Sequence, residues 1–240
     1  YINNEIPSHQ LKIALILSKL YYHLEDYESA IEWALESKSM FNISEKTLYT
    51  TTLLQKILDK YIGLRKKNFF KKEGDEEPID RRILEIIEQI FNNCIKNREV
   101  FQAIDFCLES YDIKRLSLAV ESTENVLENL KFLYEMASDY VINKEYKSSI
   151  FDEILKLYIK HAGNEYMDII NCQNLLNNTV DLAFTLLNIL QNEEDPSIAY
   201  QIAFDLYENQ NTFYLQEIIA EINKKNADKH IPDEKVKPLI

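Results

Sequence analysis

The chain has 240 residues, 46% of them hydrophobic, with 27 lysines and arginines against 40 aspartates and glutamates and a formal net charge of −13. That charge disfavours nucleic acid or an anionic membrane as the main partner, because phosphate binding draws its affinity from clustered Lys and Arg. Three glycines and five prolines argue against P-loop or Rossmann chemistry, whose phosphate-cradling loops need glycine, and for helices joined by short polar loops.

No apolar run approaches the ~18 residues of a bilayer-spanning helix, and the N-terminus lacks the residue order of a signal peptide. The sequence begins at Tyr1 and not at Met, so it reads as a piece of a longer chain. A first helix is expected from Ser8 to about Leu24, with Leu11, Ala14, Leu15, Ser18, Tyr21 and Tyr22 recurring at three and four residues. Only Glu25 and Asp26 separate it from a second helix, which Asp26 caps and whose apolar face is Tyr27, Ala30, Ile31, Trp33, Ala34 and Leu35. So short a connection makes an antiparallel hairpin. Ser18, Ala30 and Ala34 let the backbones approach, and Trp33, the only tryptophan, is expected buried between the two helices near Tyr22 or Ile31. Tyr21, Tyr27 and Ala30 have tetratricopeptide-like spacing, with Ser18 standing where that pattern has glycine.

A short connection from Lys38 to Ile43 follows, and Ser44 can cap a long helix carrying Leu48, Leu53, Leu54, Ile57, Leu58, Tyr61 and Ile62. That helix ends in Arg65-Lys-Lys-Asn-Phe-Phe-Lys-Lys72. Basic residues interleaved with aromatics can mark a nucleic-acid patch, but cations also complement a helix C-terminal dipole, and the solvated helix end is the favoured reading. The stretch from Lys71 to Pro78, containing the Lys71 to Glu77 loop, is the expected flexible segment. Asp80 then opens a helix to about Lys96, with Ile83, Leu84, Ile87, Ile90, Phe91 and Cys94 inward.

The next helix, Val100 to Ser110, contains Ala103-Ile-Asp-Phe-Cys-Leu-Glu-Ser110, which echoes Ala30-Ile-Glu-Trp-Ala-Leu-Glu-Ser37 at a distance of 73 residues. This spacing is about two hairpin units. Weaker echoes are Tyr146-Lys-Ser-Ser-Ile150 and Ala199-Tyr-Gln-Ile-Ala-Phe204. Further helices are expected after Asp112, from Thr123 to about Asn143, and over Ser148 to Ala162, Glu165 to Leu176, Thr179 to Asn192, Pro196 to Gln210 with Asp195 as cap, and Thr212 to Lys225. The fold class is therefore all-α, an α-solenoid of antiparallel helical hairpins over residues 1–225, with 226–240 as an exit linker or tail.

No reactive constellation survives the spacing. Cys94, Cys107 and Cys172 are widely spaced in apolar helical patterns and read as buried free thiols. His9, His23, His161 and His230 form no ligand set, and there is no Gly-x-Ser-x-Gly elbow. Glu25, Asp26, Glu28 and Glu32 fall on a solvated helix face. Asn42-Ile-Ser44 and Asn177-Asn-Thr179 match the glycosylation pattern, but such triplets are common by chance. Catalytic, cofactor-binding and metal-binding residues are each read as none, and no cofactor is expected.

Three stretches together carry a resemblance: Tyr21-Tyr-His-Leu-Glu-Asp-Tyr-Glu-Ser-Ala-Ile-Glu-Trp-Ala-Leu35, Pro78-Ile-Asp-Arg-Arg82 with its following helix, and Ala199-Tyr-Gln-Ile-Ala-Phe-Asp-Leu-Tyr-Glu208. In order and spacing they resemble the N-terminal rod of the 26S proteasome non-ATPase regulatory subunit 1 family, over nearly all of residues 1 to about 224. The resemblance implies an α-helical solenoid preceding a ring of glycine-rich repeats that three glycines cannot supply here. It also implies a non-catalytic scaffold in the base of the regulatory particle, serving ubiquitin-dependent degradation in cytoplasm and nucleus. The implied partners are other lid and base subunits, with no nucleic acid, membrane or small-molecule substrate. No binding residue transfers, because the matched residues read as repeat packing.

An independent tetratricopeptide-like adaptor stays open and would need a concave cluster of Lys, Arg and Asn to grip peptide termini. The smaller sister scaffold, non-ATPase regulatory subunit 2, stays open too. An all-helical enzyme is disfavoured, since no convergent acid, base or nucleophile set is visible. Circular dichroism is expected to show helix without substantial strand, and solution scattering a radius of gyration above the ~18 Å of a compact domain of this length. A strand-rich spectrum or a compact radius would overturn the array.

Overall fold

The computed structural model describes residues 8–72, 74–192, 196–210, 212–229 and 231–239. Its elements are α1 (Ser8–His23), α2 (Tyr27–Glu36), α3 (Leu48–Phe69), α4 (Arg81–Lys96), α5 (Val100–Glu109), α6 (Ile113–Val120) and α7 (Val126–Tyr140). They continue with α8 (Lys144–His161), α9 (Tyr166–Leu175), α10 (Thr179–Asn192), α11 (Ser197–Asn209), α12 (Thr212–Lys229) and α13 (Asp233–Val236). Single 3-10 turns sit at Lys38–Met40 and Lys237–Leu239, and no strand occurs among the described residues. Glu73, Asp195 and His230 lie outside them.

Two units divide the chain, Tyr1–Ser122 and Thr123–Ile240. In the first, α1 to α6 pack in succession. In the second, α7 to α10 do so, and α10 also meets α11, α12 and α13. Packing mostly on the next helix or the next but one is the organisation of an all-α solenoid of helical hairpins.

The α1–α2 hairpin forms as the residue pattern requires. Asp26 caps α2 by accepting the Ser29 N–H at 3.3 Å and the Ser29 hydroxyl at 2.7 Å. Ala14, Ser18, Ala30 and Ala34 are buried at the crossing. Ser18, in the glycine place of the repeat, donates from its hydroxyl to the Ala30 carbonyl at 2.6 Å and hydrogen-bonds the Tyr49 hydroxyl at 2.6 Å. Its polar atom is thereby satisfied where α1, α2 and α3 meet. Trp33, in contrast, is 37% exposed, which corrects its expected burial. The buried stripe of α2 is Ala30, Ile31, Ala34 and Leu35, and Trp33 falls on its flank. The ~3–5 kcal/mol cost of deleting a large buried aromatic therefore does not apply to it.

The same turn chemistry recurs at the 73-residue spacing. α5 begins and ends 73 residues after α2, and its buried Ala103, Ile104, Cys107 and Leu108 match Ala30, Ile31, Ala34 and Leu35. Before each helix stands a residue with positive φ, Glu25 at 60° and Arg98 at 62°, and after each another, Lys38 at 47° and Tyr111 at 56°. A third copy is α9, also 10 residues long, followed by Asn177 at φ 52°. There Ile169 stands where α5 has Ala103, so the small-residue signature is lost while the geometry persists. The echoes read at 146–150 and 199–204 fall instead in α8 and α11, helices of 18 and 13 residues.

Four of these positive-φ residues close Schellman turns. Asp26 N–H reaches the Tyr21 carbonyl at 3.0 Å, Glu99 that of Cys94 at 2.8 Å, Asp112 that of Cys107 at 3.0 Å and Asn178 that of Gln173 at 2.9 Å. The residue completing each turn directly precedes the next helix, so one helix stops and another starts within three residues. Glycine is the easy occupant of such a position; here Glu25, Arg98, Tyr111 and Asn177 take it.

Several boundaries differ from the sequence reading. α3 is capped by Thr47, which accepts the Thr50 N–H at 3.2 Å, and not by Ser44. Leu48 is accordingly 78% exposed. α4 turns Ile86 inward and leaves Leu84 on the surface. α8 starts at Lys144 because Asn143 accepts the Tyr146 N–H at 2.8 Å. Most different is the stretch read as an exit linker. α12 continues to Lys229, and Ile231, Val236 and Leu239 are buried in the core formed by α10, α11 and α12. Asn226 pairs with both the N–H and the carbonyl of Ile231, at 3.1 and 3.4 Å, and the Tyr200 hydroxyl donates to the Lys235 carbonyl at 3.0 Å. Three well-spaced apolar residues are too few to show a period, yet they suffice to seat the segment.

Each fully buried Leu or Ile contributes about 1.5–3 kcal/mol, whereas the exposed Lys60–Glu28 pair at 3.0 Å is worth at most ~1 kcal/mol. Stability thus lies in the hairpin cores and in their turns. An L-residue in the left-handed region costs roughly 1–2 kcal/mol, partly offset by the chain entropy that glycine would lose. Arg98→Gly is therefore expected to stabilise the chain by about 0.5–1 kcal/mol and raise its thermal midpoint by roughly 1–4 °C, read by circular dichroism.

Candidate interaction surfaces

The basic, aromatic end of α3 is engaged within the first unit. Arg65 donates from Nε to the Ser110 carbonyl at 3.4 Å and from Nη2 to the Tyr111 carbonyl at 3.0 Å. The Phe69 and Phe70 rings lie 5.3 and 6.1 Å from that of Tyr111. They thus hold the left-handed turn between α5 and α6. Asn68 pairs with both main-chain groups of Glu77, at 2.9 and 2.8 Å, and Lys71 meets the Glu77 carboxylate at 2.8 Å. That lysine holds the Glu77 carboxyl below its usual range. The far end of the loop expected to be flexible is pinned, and only Lys66, Lys67 and Lys72 of the expected solvated cations remain free of such ties among the described residues.

Beneath this end lies a charged junction. The Asp112 carboxylate caps α6 and sits between two guanidiniums, Arg115 at 3.1 Å and Arg65 at 3.7 Å. Arg115 also reaches Glu88 of α4, donates to the Tyr61 hydroxyl at 3.4 Å and lies 5.7 Å from the Phe91 ring centre. Tyr61 is stacked on Phe106, and burial raises its phenol above the usual range. Side chains of α3, α4 and α6 are thus linked around one almost buried carboxylate, with Phe106 of α5 stacked at its edge, and each charged member of the group is answered by another. This is a structural clamp.

The larger surface feature is a groove of about 1050 Å³ between the end of α2 with its following turn and one face of α4. Its floor contains the buried Leu35, Phe41 and Ile86, and its rim carries Lys38, Asn42, Arg81, Glu85, Gln89 and Asn93. Asn42 accepts the Ser44 N–H at 3.0 Å, fixing the loop wall. Arg82 is held by Asp80 at 2.6 Å and also bonds Glu36, and Arg81 pairs with Glu85 at 3.2 Å. Arg82 keeps the Asp80 carboxyl below its usual range. No short stretch of sequence marks this groove, since a loop and a helix some forty residues apart make it; its one signal is the amide run Gln89, Asn92 and Asn93 on an otherwise charged face.

The remaining reactive residues stay apart. His23 ends α1 and His161 ends α8. Cys107 and Cys172 are buried and Cys94 half-buried, and desolvation pushes the Cys172 thiol up to about 12. Among the described residues, no group of three or more His, Cys, Asp or Glu could hold a metal ion, and no helix is long and apolar enough to cross a membrane. Asn177, in one glycosylation-like triplet, occupies a left-handed turn.

Residues 1–237 match the family model described as the 26S proteasome subunit RPN2, N-terminal domain. The chain belongs to this family. Among its relatives, the 26S proteasome non-ATPase regulatory subunit 1 homolog B of Arabidopsis thaliana is 30% identical over 91% of this chain and 22% of its own length. The 26S proteasome regulatory subunit RPN2 of Eremothecium gossypii is 32% identical over 88% of this chain and 22% of its own. The Dictyostelium discoideum 26S proteasome non-ATPase regulatory subunit 1 is 29% identical over 89% and 21%. This RPN2-type chain thus spans about a fifth of the length of the relatives it matches.

In this RPN2-type domain the clamp yields a sharp expectation. Asp112→Ala removes the α6 cap and leaves two guanidiniums facing each other, at a cost of about 3 kcal/mol in urea unfolding. Asp112→Asn keeps the cap and is expected to recover about 1 kcal/mol of that loss.

Proposed function

We propose that this chain is a non-catalytic scaffold segment of the 26S proteasome regulatory particle base, working through protein contacts in ubiquitin-dependent degradation. The observation that carries the reading is the match of residues 1–237 to the RPN2 N-terminal family. The architecture supports it: each hairpin spends its apolar face on its neighbours, leaving outer faces and the ends of the array for partners. The partners are other regulatory-particle subunits of lid and base, and the place of action is cytoplasm and nucleus. Residues 1–225 form the scaffold proper, and 226–239 belong to it through Ile231, Val236 and Leu239.

The relatives' names include "non-ATPase", and this chain is read likewise as having no turnover of its own. A tagged parent chain is expected to co-purify with the regulatory particle. Deletion of residues 1–240 is expected to weaken its hold on neighbouring lid subunits while core-particle peptidase activity persists. A parent chain running free of proteasomes in cell extract, or hydrolysis of a substrate by this segment alone, would overturn the reading.

A further inference from the structure

Twice among the described residues an asparagine amide pairs with both main-chain groups of one residue in a non-helical segment. Asn68 does so with Glu77 and Asn226 with Ile231, at 2.8 to 3.4 Å. A carboxamide has the donor and the acceptor that such pairing needs, so it can hold a peptide backbone without reading its sequence. The groove beside α4 offers the same chemistry unused. Gln89 and Asn93 stand one helical turn apart on its rim, exposed, with no side-chain hydrogen bond among the described residues.

We propose that this groove binds an extended segment of a partner protein that alternates apolar and acidic side chains. The amides of Gln89 and Asn93 take its main chain, its apolar side chains lie against half-buried Ile43 over the floor closed by Leu35, Phe41 and Ile86, and Lys38 meets a carboxylate. The volume of about 1050 Å³ lies at the upper end of the ~300–1,000 Å³ usual for small-molecule pockets and leaves room for an extended peptide. Acidic character follows from the charges present. Arg82 is neutralised by Asp80 and Glu36 and Arg81 by Glu85, whereas Lys38 has no ion pair among the described residues. In a chain of net charge −13, this rim is a local exception, and like charge elsewhere would turn an acidic segment towards it.

The protein nature of the partner rests on the scaffold reading, but the two fail separately, since co-purification with proteasomes does not depend on this groove. The test is fluorescence anisotropy of the whole 240-residue chain with a labelled octapeptide alternating leucine and glutamate, against one alternating leucine and lysine. Saturable binding of the glutamate peptide is expected, at least about tenfold tighter than the lysine peptide, the scale of one charge-assisted contact. Lys38→Gly is the informative variant, because it removes the cation where φ 47° suits glycine, and an unchanged thermal midpoint by circular dichroism separates lost binding from lost fold. It is expected to weaken the glutamate peptide about tenfold, and Gln89→Leu with Asn93→Leu by a similar factor. Equal affinity of the two peptides, unchanged affinity in both variants, or no saturation up to about 1 mM would overturn the proposal.

Discussion

The architecture depends on a backbone conformation that most of its occupants do not favour. Helices stop and restart within three residues at Glu25, Arg98, Tyr111 and Asn177, all with positive φ, and at each the orphan carbonyl of the finishing helix takes the N–H of the residue that opens the next. A longer linker would avoid the left-handed residue but would let the two helices splay. The small strain per turn is offset by the apolar burial that a tight hairpin permits, such as Ala30 against Ser18 or the fully buried Ala103, Ile104 and Cys107. Side chains help where they can: Phe69 and Phe70 brace Tyr111, and Arg65 binds its carbonyl.

Charge is used in two ways on this scaffold. Inside the first unit, Asp112, Arg65, Arg115 and Glu88 satisfy one another and tie α3, α4 and α6 to one point. A group so completely answered has nothing left for a ligand, and its basic members are a poor guide to function despite their prominence in the sequence. At the groove, the ion pairs of Arg81 and Arg82 leave amides and one lysine unengaged among the described residues, over buried apolar side chains, the surface proposed to meet another chain. A scaffold needs both kinds: clamps that keep the array in register, and places where the array can be held.

Sequence alone determined the all-α class, the first hairpin with its Asp26 cap and the 73-residue repeat, because these rest on local rules; the family entered by the resemblance of three stretches and not by such rules. Helical period, capping residue and small-residue spacing act within one or two turns and leave a direct mark on the chain. The third repeat helix at Tyr166–Leu175 left no such mark, since Ile169 and Gln173 replaced the small residues while the turn geometry stayed.

Only the tertiary structure decided the rest. Which flank of α2 meets α1 and α3 was a matter of how closely the helices cross, and that put Trp33 at the surface although its pattern position looked apolar. The basic end of α3 read as solvated because its partners, Ser110 to Asp112, lie more than forty residues away. The tail beyond Asn226 read as a linker because three apolar residues make no period, yet a waiting core accepted them. The groove, too, joins a loop near Asn42 to a helix face near Gln89. Pairings between distant segments are set by shape complementarity across the whole unit, and no short window of sequence carries that information.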